Sequence, residues 1–234
     1  MNIEGSIALV TGANRGLGAA FCRSLLDQGA AKVYAAARDT ESIKIPGVVP
    51  VRLDITSDSD IAAAVAMCGD VTLLINNAGI SNTTPAMSHD GIDGGRREFD
   101  TNVFGTLAMS REFAPVLASN GGGAMVNVLS VLSWFTIPGT AYYCASKAAA
   151  WSFTNALRLE LAPQGTQVVA LHVGLMDTDM AAGMDAPKSS PDGVAAQTLA
   201  GVAAGAFEVL ADDTSRMVRS ALSADLKALY PALA

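Results

Sequence analysis

The sequence is poor in the residues that hold metals, form disulfide frameworks or bind nucleic acid. Among 234 residues there are two His, His89 and His172, and three Cys, Cys22, Cys68 and Cys144. No Cys-x-x-Cys pair occurs and neither His has a neighbour at ligand spacing, so no metal site is expected. An odd number of widely spaced thiols fits reduced cysteines and a cytoplasmic protein. Fifteen Lys and Arg face 22 Asp and Glu, a formal net charge of −7. No basic stripe is left to neutralise phosphates, which argues against a nucleic-acid partner. Long apolar runs are missing too. The most apolar late stretch, residues 193–211, is interrupted by Gln197, Thr198 and Glu208 and reads as a packed helix, not a membrane span. The opening MNIEGSIALV lacks a charged segment followed by a long apolar run, so no signal peptide is expected. No Pro/Ser/Gly-rich linker divides the chain. With 50% hydrophobic residues it has ample core for one domain spanning 1–234.

What is present is an alternation of short apolar strands and helical patterns. Strand signals fall at residues 6–11, 32–37, 49–53, 71–75, 124–129 and 166–172, with a weaker one at 207–211. Several are continuous apolar runs, the signature of strands buried on both faces. Helices are expected over 17–28, 57–67, 97–117, from 141 through Glu160, and 214–230. Residues 39–48 are short for a crossover helix, so a single-turn link is expected there. Residues 81–95 read as an exposed loop. The sum is an α/β fold, a doubly wound, Rossmann-type, mostly parallel sheet with helices on both faces.

Two stretches carry chemistry. The first, Thr11-Gly12-Ala13-Asn14-Arg15-Gly16-Leu17-Gly18, lies between a strand and a helix. Glycines there let the backbone approach a pyrophosphate, and the helix N-terminus offers it unpaired N–H groups. The bland alternative is a plain Gly-rich turn. About twenty residues on, a dinucleotide fold often has an acidic residue for the ribose 2′-hydroxyl; this chain has Ala37-Arg38. Arg38, with Arg15 as a second cation, suits a 2′-phosphate and points to NADP(H) over NAD(H).

The second is SVLSWFTIPGTAYYCASK, residues 130–147. Tyr143 and Lys147 are four apart and share one helix face; Tyr142 lacks that spacing. A free phenol titrates near ~10, and a nearby fixed cation would lower that value, so the pair reads as a proton-transfer device. Ser130, at a strand end where doubly wound sheets place ligands, would hold the reacting oxygen. Ser133 competes for that role. A packed ring beside a solvated amine is the ordinary reading of a lone Tyr-x-x-x-Lys.

Gly-x-x-x-Gly-x-Gly opened by Thr-Gly, then Asn76-Asn77-Ala78-Gly79, Asn102, Ser130 and Tyr143-x-x-x-Lys147, fall in one order. Together they resemble the short-chain dehydrogenase/reductase family over nearly the whole chain. The resemblance implies NADP(H)-dependent hydride transfer between a carbonyl and an alcohol. In it Ser130 polarises the oxygen, Tyr143 is the acid and base, Lys147 lowers the phenol pKa and binds the nicotinamide ribose, and Asn102 holds a relay water. It places the cofactor against Gly12, Asn14, Arg15, Gly16, Leu17 and Gly18, and against Arg38. Asp54 and Ile55 would meet the adenine, the backbone at Asn76, Ala78 and Gly79 would pass beside the cofactor, and Gly174 and Thr178 would meet the nicotinamide. Val173 stands where the family usually has Pro, which loosens that turn.

The segment 177–192 then looks like a substrate lid. Trp134, Phe135, Leu175, Met176 and Met184 suggest a pocket for a substrate with an apolar portion. The family's habit of pairing two long helices, here 97–117 and 141–162, implies a homodimer or homotetramer. The alternatives are a non-catalytic NADP(H)-binding regulator on the same fold, and a dehydratase or epimerase.

Overall fold

The structure, a computed structural model, describes residues 1–89 and 91–230. Asp90, inside the expected 81–95 loop, and the last four residues of the expected 1–234 domain lie outside the described residues. In chain order the sheet is built from β1 (Ile7–Thr11), β2 (Lys32–Ala37), β3 (Val49–Arg52), β4 (Leu73–Asn76), β5 (Ala124–Val128), β6 (Gln167–His172) and β7 (Glu208–Leu210). All neighbouring pairs are parallel, in the order β3-β2-β1-β4-β5-β6-β7. The weak last strand signal is therefore real, a short edge strand on β6.

The helices are α1 (Gly16–Asp27), α2 (Asp58–Met67), α3 (Gly91–Phe99), α4 (Thr106–Ser119), α5 (Ala141–Glu160), α6 (Pro191–Ala203), α7 (Asp213–Ala221) and α8 (Leu226–Leu229). The β2–β3 link holds only the 3₁₀ turn Thr40–Ser42, as its length demanded. Strand residues alternate between two cores. Ala8 and Val10 of β1 pack with Phe21 and Leu25 of α1 and Leu199 of α6. Leu9 packs on the other face with Ile61 of α2, Phe113 of α4 and Leu157 of α5. Both faces being covered, the strands read as continuous apolar runs and not as alternating ones. Because β1 pairs β2 on one side and β4 on the other, the strand order reverses between β1 and β4, which opens a crevice at their C-terminal ends.

Two expectations change. The helix foreseen at 97–117 starts at Gly91, and a π-helical turn, Asp100–Gly105, joins α3 to α4. Three glycines in nine residues argue for a loop by propensity. Packing overrides them, because a methyl added at Gly95 would lie 2.3 Å from the Tyr142 ring. The terminal helix foreseen at 214–230 is two helices. Asp212 caps α7 by accepting from Ser215 N at 2.7 Å, and Asp225 starts α8 afresh by accepting from Lys227 N at 2.9 Å. Among the described residues no helix is long and apolar enough to cross a membrane.

Gly95 tests the α3–α5 contact. Ala normally gains ~0.5–1 kcal/mol over Gly inside a helix, but overpacking costs ~1–3 kcal/mol, so the clash should win. We expect Gly95→Ala to lower the melting temperature, and a second change, Tyr142→Leu, to recover part of the loss. A Gly95→Ala chain that melts higher than the parent would contradict this packing.

Candidate active site

The site lies along the C-terminal ends of β1, β4 and β5. Gly12 (φ +65°) turns the chain out of β1 so closely to β4 that an added Cβ would sit 3.0 Å from Ala78 Cα. At Gly18 the same addition would meet Gly12 O at 2.2 Å, so a side chain there would fill the loop. Side chains stitch the two strand ends together. Thr11 Oγ1 accepts from Asn77 N and Ala78 N at 3.0 Å, and Asn77 Nδ2 donates to Thr11 O at 2.8 Å. Arg15 stands at the N-cap of α1 with no side-chain cap bond, which leaves first-turn N–H groups free for an anion. Leu17 is buried beneath the loop, and Asn14 is half-buried.

Arg38 is exposed just past β2. Arg15 forms an exposed ion pair with Asp179 at 2.8 Å. Asp54 accepts from Thr56 N at 2.9 Å and Thr56 Oγ1 at 2.7 Å. Those hydrogen bonds, helped by Arg38 and Arg52, hold its carboxyl below the usual range. Ile55 is buried against Gly105 of the π turn.

Tyr143 and Lys147 come together as their spacing required. Lys147 Nζ is 5.8 Å from the Tyr143 ring centroid and donates to Val128 O, at the end of β5, at 2.8 Å. The Ser130 hydroxyl lies near enough to the Tyr143 phenol to favour its ionised form, and it accepts from Leu132 N at 3.1 Å. The Ser133 hydroxyl accepts from Ser130 N at 3.4 Å, one half of a reciprocal capping pair with Ser130. Tyr142 points elsewhere: its ring packs on Gly91 and Gly95 and its hydroxyl donates to Ala86 O at 3.4 Å.

Burial, not the neighbouring ammonium, governs the phenol. It pushes Tyr143 up to about 12 against the lowering influence of the Ser130 hydroxyl, while burial pushes Lys147 down to about 8. In this geometry burial is the larger influence and the phenol stays protonated at neutral pH, while Lys147 Nζ places one hydrogen bond on the Val128 carbonyl.

Asn102 is buried in the π turn. It accepts from Ile80 N and donates to Ile80 O, both at 2.9 Å, and donates to Ser146 Oγ at 3.0 Å. Both N–H donors of its amide are therefore committed to protein groups. Gly79 runs beside them; a Cβ there would lie 3.6 Å from Lys147 Nζ.

The Asn76 side chain faces the core and donates to Ser110 Oγ at 3.1 Å and Asn127 Oδ1 at 2.9 Å, so Asn76 offers the crevice no side-chain group. At a strand end either face is sterically open, and the polar partners on α4 and β5 decide. Gly174 N donates to Asp212 Oδ2 at 2.5 Å, so Asp212 fastens the turn that Val173 leaves without a Pro. Thr178 lies over Gly16, its methyl 3.2 Å from where a Cβ would stand.

The lid region is a loop closed at its base. Asp177 N donates to Ser189 O at 3.0 Å and Ser189 N to Leu175 O at 2.8 Å. Pro191 and Asp192, counted with the lid in the sequence, belong to α6, which Ser190 caps. The residues expected to line an apolar pocket border two different clefts. Trp134 and Phe135 join Cys144, Ala148 and Tyr230 around one of about 250 Å³. Leu175 lines another of about 200 Å³ with Lys188 and Asp213.

Trp134 stacks on His172 at 3.8 Å between centroids, a partnership that spacing 38 residues apart could not reveal. His172 Nδ1 lies 3.1 Å from Ser130 O; the carbonyl only accepts, so Nδ1 carries the proton. The buried ring thus anchors the backbone of Ser130, and burial pushes it down to about 4.

A family model of the short chain dehydrogenases matches residues 6–189. A solved short chain dehydrogenase from Burkholderia cenocepacia J2315, in complex with NADP, is 43% identical, with a TM-score of 0.94 over 100% of this chain and 99% of that one. Sorbitol dehydrogenase of Cereibacter sphaeroides is 32% identical over 80% of this chain and 76% of its own. The 3-oxoacyl-[acyl-carrier-protein] reductase FabG of Vibrio harveyi is 31% identical over 88% and 85%.

The buried imidazole predicts an acid sensitivity. The unfolded chain takes a proton near the ordinary value of 6.5, and the folded one refuses it until about 4. Stability present above 6.5 is therefore lost as pH falls through that window, by about 3 kcal/mol in all. Urea denaturation between pH 4 and 7 should show a shallower decline for His172→Asn, which keeps a donor for Ser130 O but does not titrate. Equal declines would remove His172 from the account.

Proposed function

Because this chain belongs to the short-chain dehydrogenase/reductase family of oxidoreductases, we propose that it interconverts a carbonyl compound and its primary or secondary alcohol with NADP(H). The observation that carries this reading is the convergence of Ser130, Tyr143 and Lys147 beside Gly79 and the glycine loop.

The residues present fit the dinucleotide. A helix N-terminus without a side-chain cap, reached through glycines 12, 16 and 18 that pack too closely on Ala78, Thr178 and the Gly12 carbonyl for a side chain, offers backbone N–H groups to a phosphate. Arg38 and Arg15 supply cations where a 2′-phosphate would lie, which favours NADP(H) over NAD(H). When bound, the cofactor supplies or removes the hydride.

The chain does the proton work and the positioning. Ser130 orients the substrate oxygen. Tyr143, protonated at neutral pH, donates its proton to that oxygen in reduction; in oxidation its phenolate accepts the proton, so oxidation should rise with pH while reduction stays level through neutrality. Lys147 positions the phenol and the nicotinamide ribose. Asn102 holds the segment that runs past Lys147.

The loop 177–188 serves as the lid in this reading. Asp177, Asp179 and Asp185 on it outnumber Lys188, which disfavours anionic substrates and supports a neutral one with an apolar part. Exposed Phe104, Phe153 and Leu159 on the α4–α5 side support a homodimer or homotetramer. Sedimentation equilibrium should return a dimer or tetramer mass, and a monomer at micromolar concentration would refute that part.

The decisive experiment is NADPH consumption with a panel of neutral ketones and aldehydes. We expect turnover, and a loss of about 10²- to 10⁴-fold in Tyr143→Phe with NADPH binding by fluorescence unchanged. NADPH binding with no turnover across the panel would favour a non-catalytic regulator. Product formed without net cofactor change would favour a dehydratase or epimerase.

A further inference from the structure

Glu98 is a fully buried carboxyl on α3 that the chemistry above leaves unused. One of its oxygens accepts from Asn82 N. The other, Oε2, is buried without a hydrogen-bond partner among the described residues. Burying a carboxyl with half its capacity unmet is costly, so its retention asks for a reason.

Its place suggests one. Asn102 lies four residues further along the same continuous helical stretch and pairs with both backbone groups of Ile80. Glu98 takes the N–H of Asn82, two residues on. Alternate residues of an extended segment present their groups to one side, and residues one turn apart project together from a helix. Side chains of α3 and the π turn thus do for residues 80–82 what a neighbouring strand would do. That segment continues from Gly79, beside Lys147, and leads on to Thr83, whose methyl lies 3.7 Å from a Cβ built at Gly139, just ahead of α5.

We propose that Glu98 is a positioning residue of the reaction, the second half of a clamp with Asn102 that holds residues 80–82 against the Tyr143–Lys147 end of α5. The proposal rests on the assignment of Tyr143 above. The carboxyl also acts on that phenol as a like charge that favours its protonated form, and burial raises the value of Glu98 itself. The charged groups around it are few. Asp93, Arg96, Arg97 and Asp100 on its own stretch are exposed. On α5 the titratable groups facing α3 are Tyr143, which feels its charge, and Tyr142, whose ring packs on Gly91 and Gly95.

The test compares Glu98→Gln and Glu98→Leu, using the ketone the panel turns over fastest and the alcohol it yields. Gln keeps the acceptor for Asn82 N, so ketone reduction should stay within about threefold of the parent. With the like charge gone, alcohol oxidation at pH 9 should rise by about threefold. Damage to the fold would lower that rate, not raise it. Leu should lower kcat by about tenfold with NADPH affinity unchanged, and hydrogen–deuterium exchange should quicken at the Asn82 amide in Leu but not in Gln. A Leu variant with parental kcat and parental exchange overturns the proposal. If Leu does not fold, a Gln variant whose oxidation at pH 9 fails to rise overturns it. Turnover retained in Tyr143→Phe would instead sink the underlying assignment and leave the exchange result to judge the clamp alone.

Discussion

A buried ammonium held by one carbonyl organises the end of the sheet. Lys147 Nζ, on α5, donates to Val128 O at the last residue of β5. Removing a charged amine from water is costly, and burial shows it by pushing Lys147 down to about 8. The bond draws α5 onto β5 one turn from Tyr143. Two residues beyond Val128 stands Ser130, whose backbone His172 fixes from the next strand. Thus the hydroxyl, phenol and amine meet because one main-chain oxygen is shared between a strand and a helix.

Behind the site a polar thread crosses an otherwise apolar interior. Asn76 of β4 reaches Ser110 of α4 and Asn127 of β5, and Asn127 reaches Thr154 of α5 at 3.0 Å. Ser110 and Thr154 in turn donate to carbonyls one turn back in their own helices. Such a network tolerates little sliding, because each shifted helix would strand a buried donor or acceptor. It locks α4 and α5 in register on the strands whose ends carry Ser130 and the Lys147 contact. The front of the site is different. The 177–188 loop is tied at its base by backbone pairing and reaches the glycine loop through the exposed Arg15–Asp179 pair, a bond worth little in water. A rigid back and a weakly tethered front suit a site that admits and releases two ligands.

Much of this was written in local pattern. Apolar runs with strand length, glycines at a strand-to-helix turn and a four-residue Tyr–Lys spacing are short-range features, and each survives in the structure. Tyr143 could be chosen over Tyr142 for that reason: i to i+4 is a property of the helix, whatever surrounds it. Ser130 is preferred to Ser133 for its separation from Tyr143, and in the structure the two serines cap each other across one short loop.

By itself the sequence determined the strand–helix alternation, the glycine loop between β1 and α1 and the face shared by Tyr143 and Lys147, since all are set by backbone periodicity and glycine sterics over a few residues. Tertiary structure alone decided that Asn76 faces inward, that α3 begins at Gly91, that Trp134 lies on His172 and that Glu98 is buried at Asn82. Those outcomes depend on groups brought together from distant positions, where packing and hydrogen-bond satisfaction outweigh local propensity. The protonation of Tyr143 belongs with them, because a pKa is set by what surrounds the group in space.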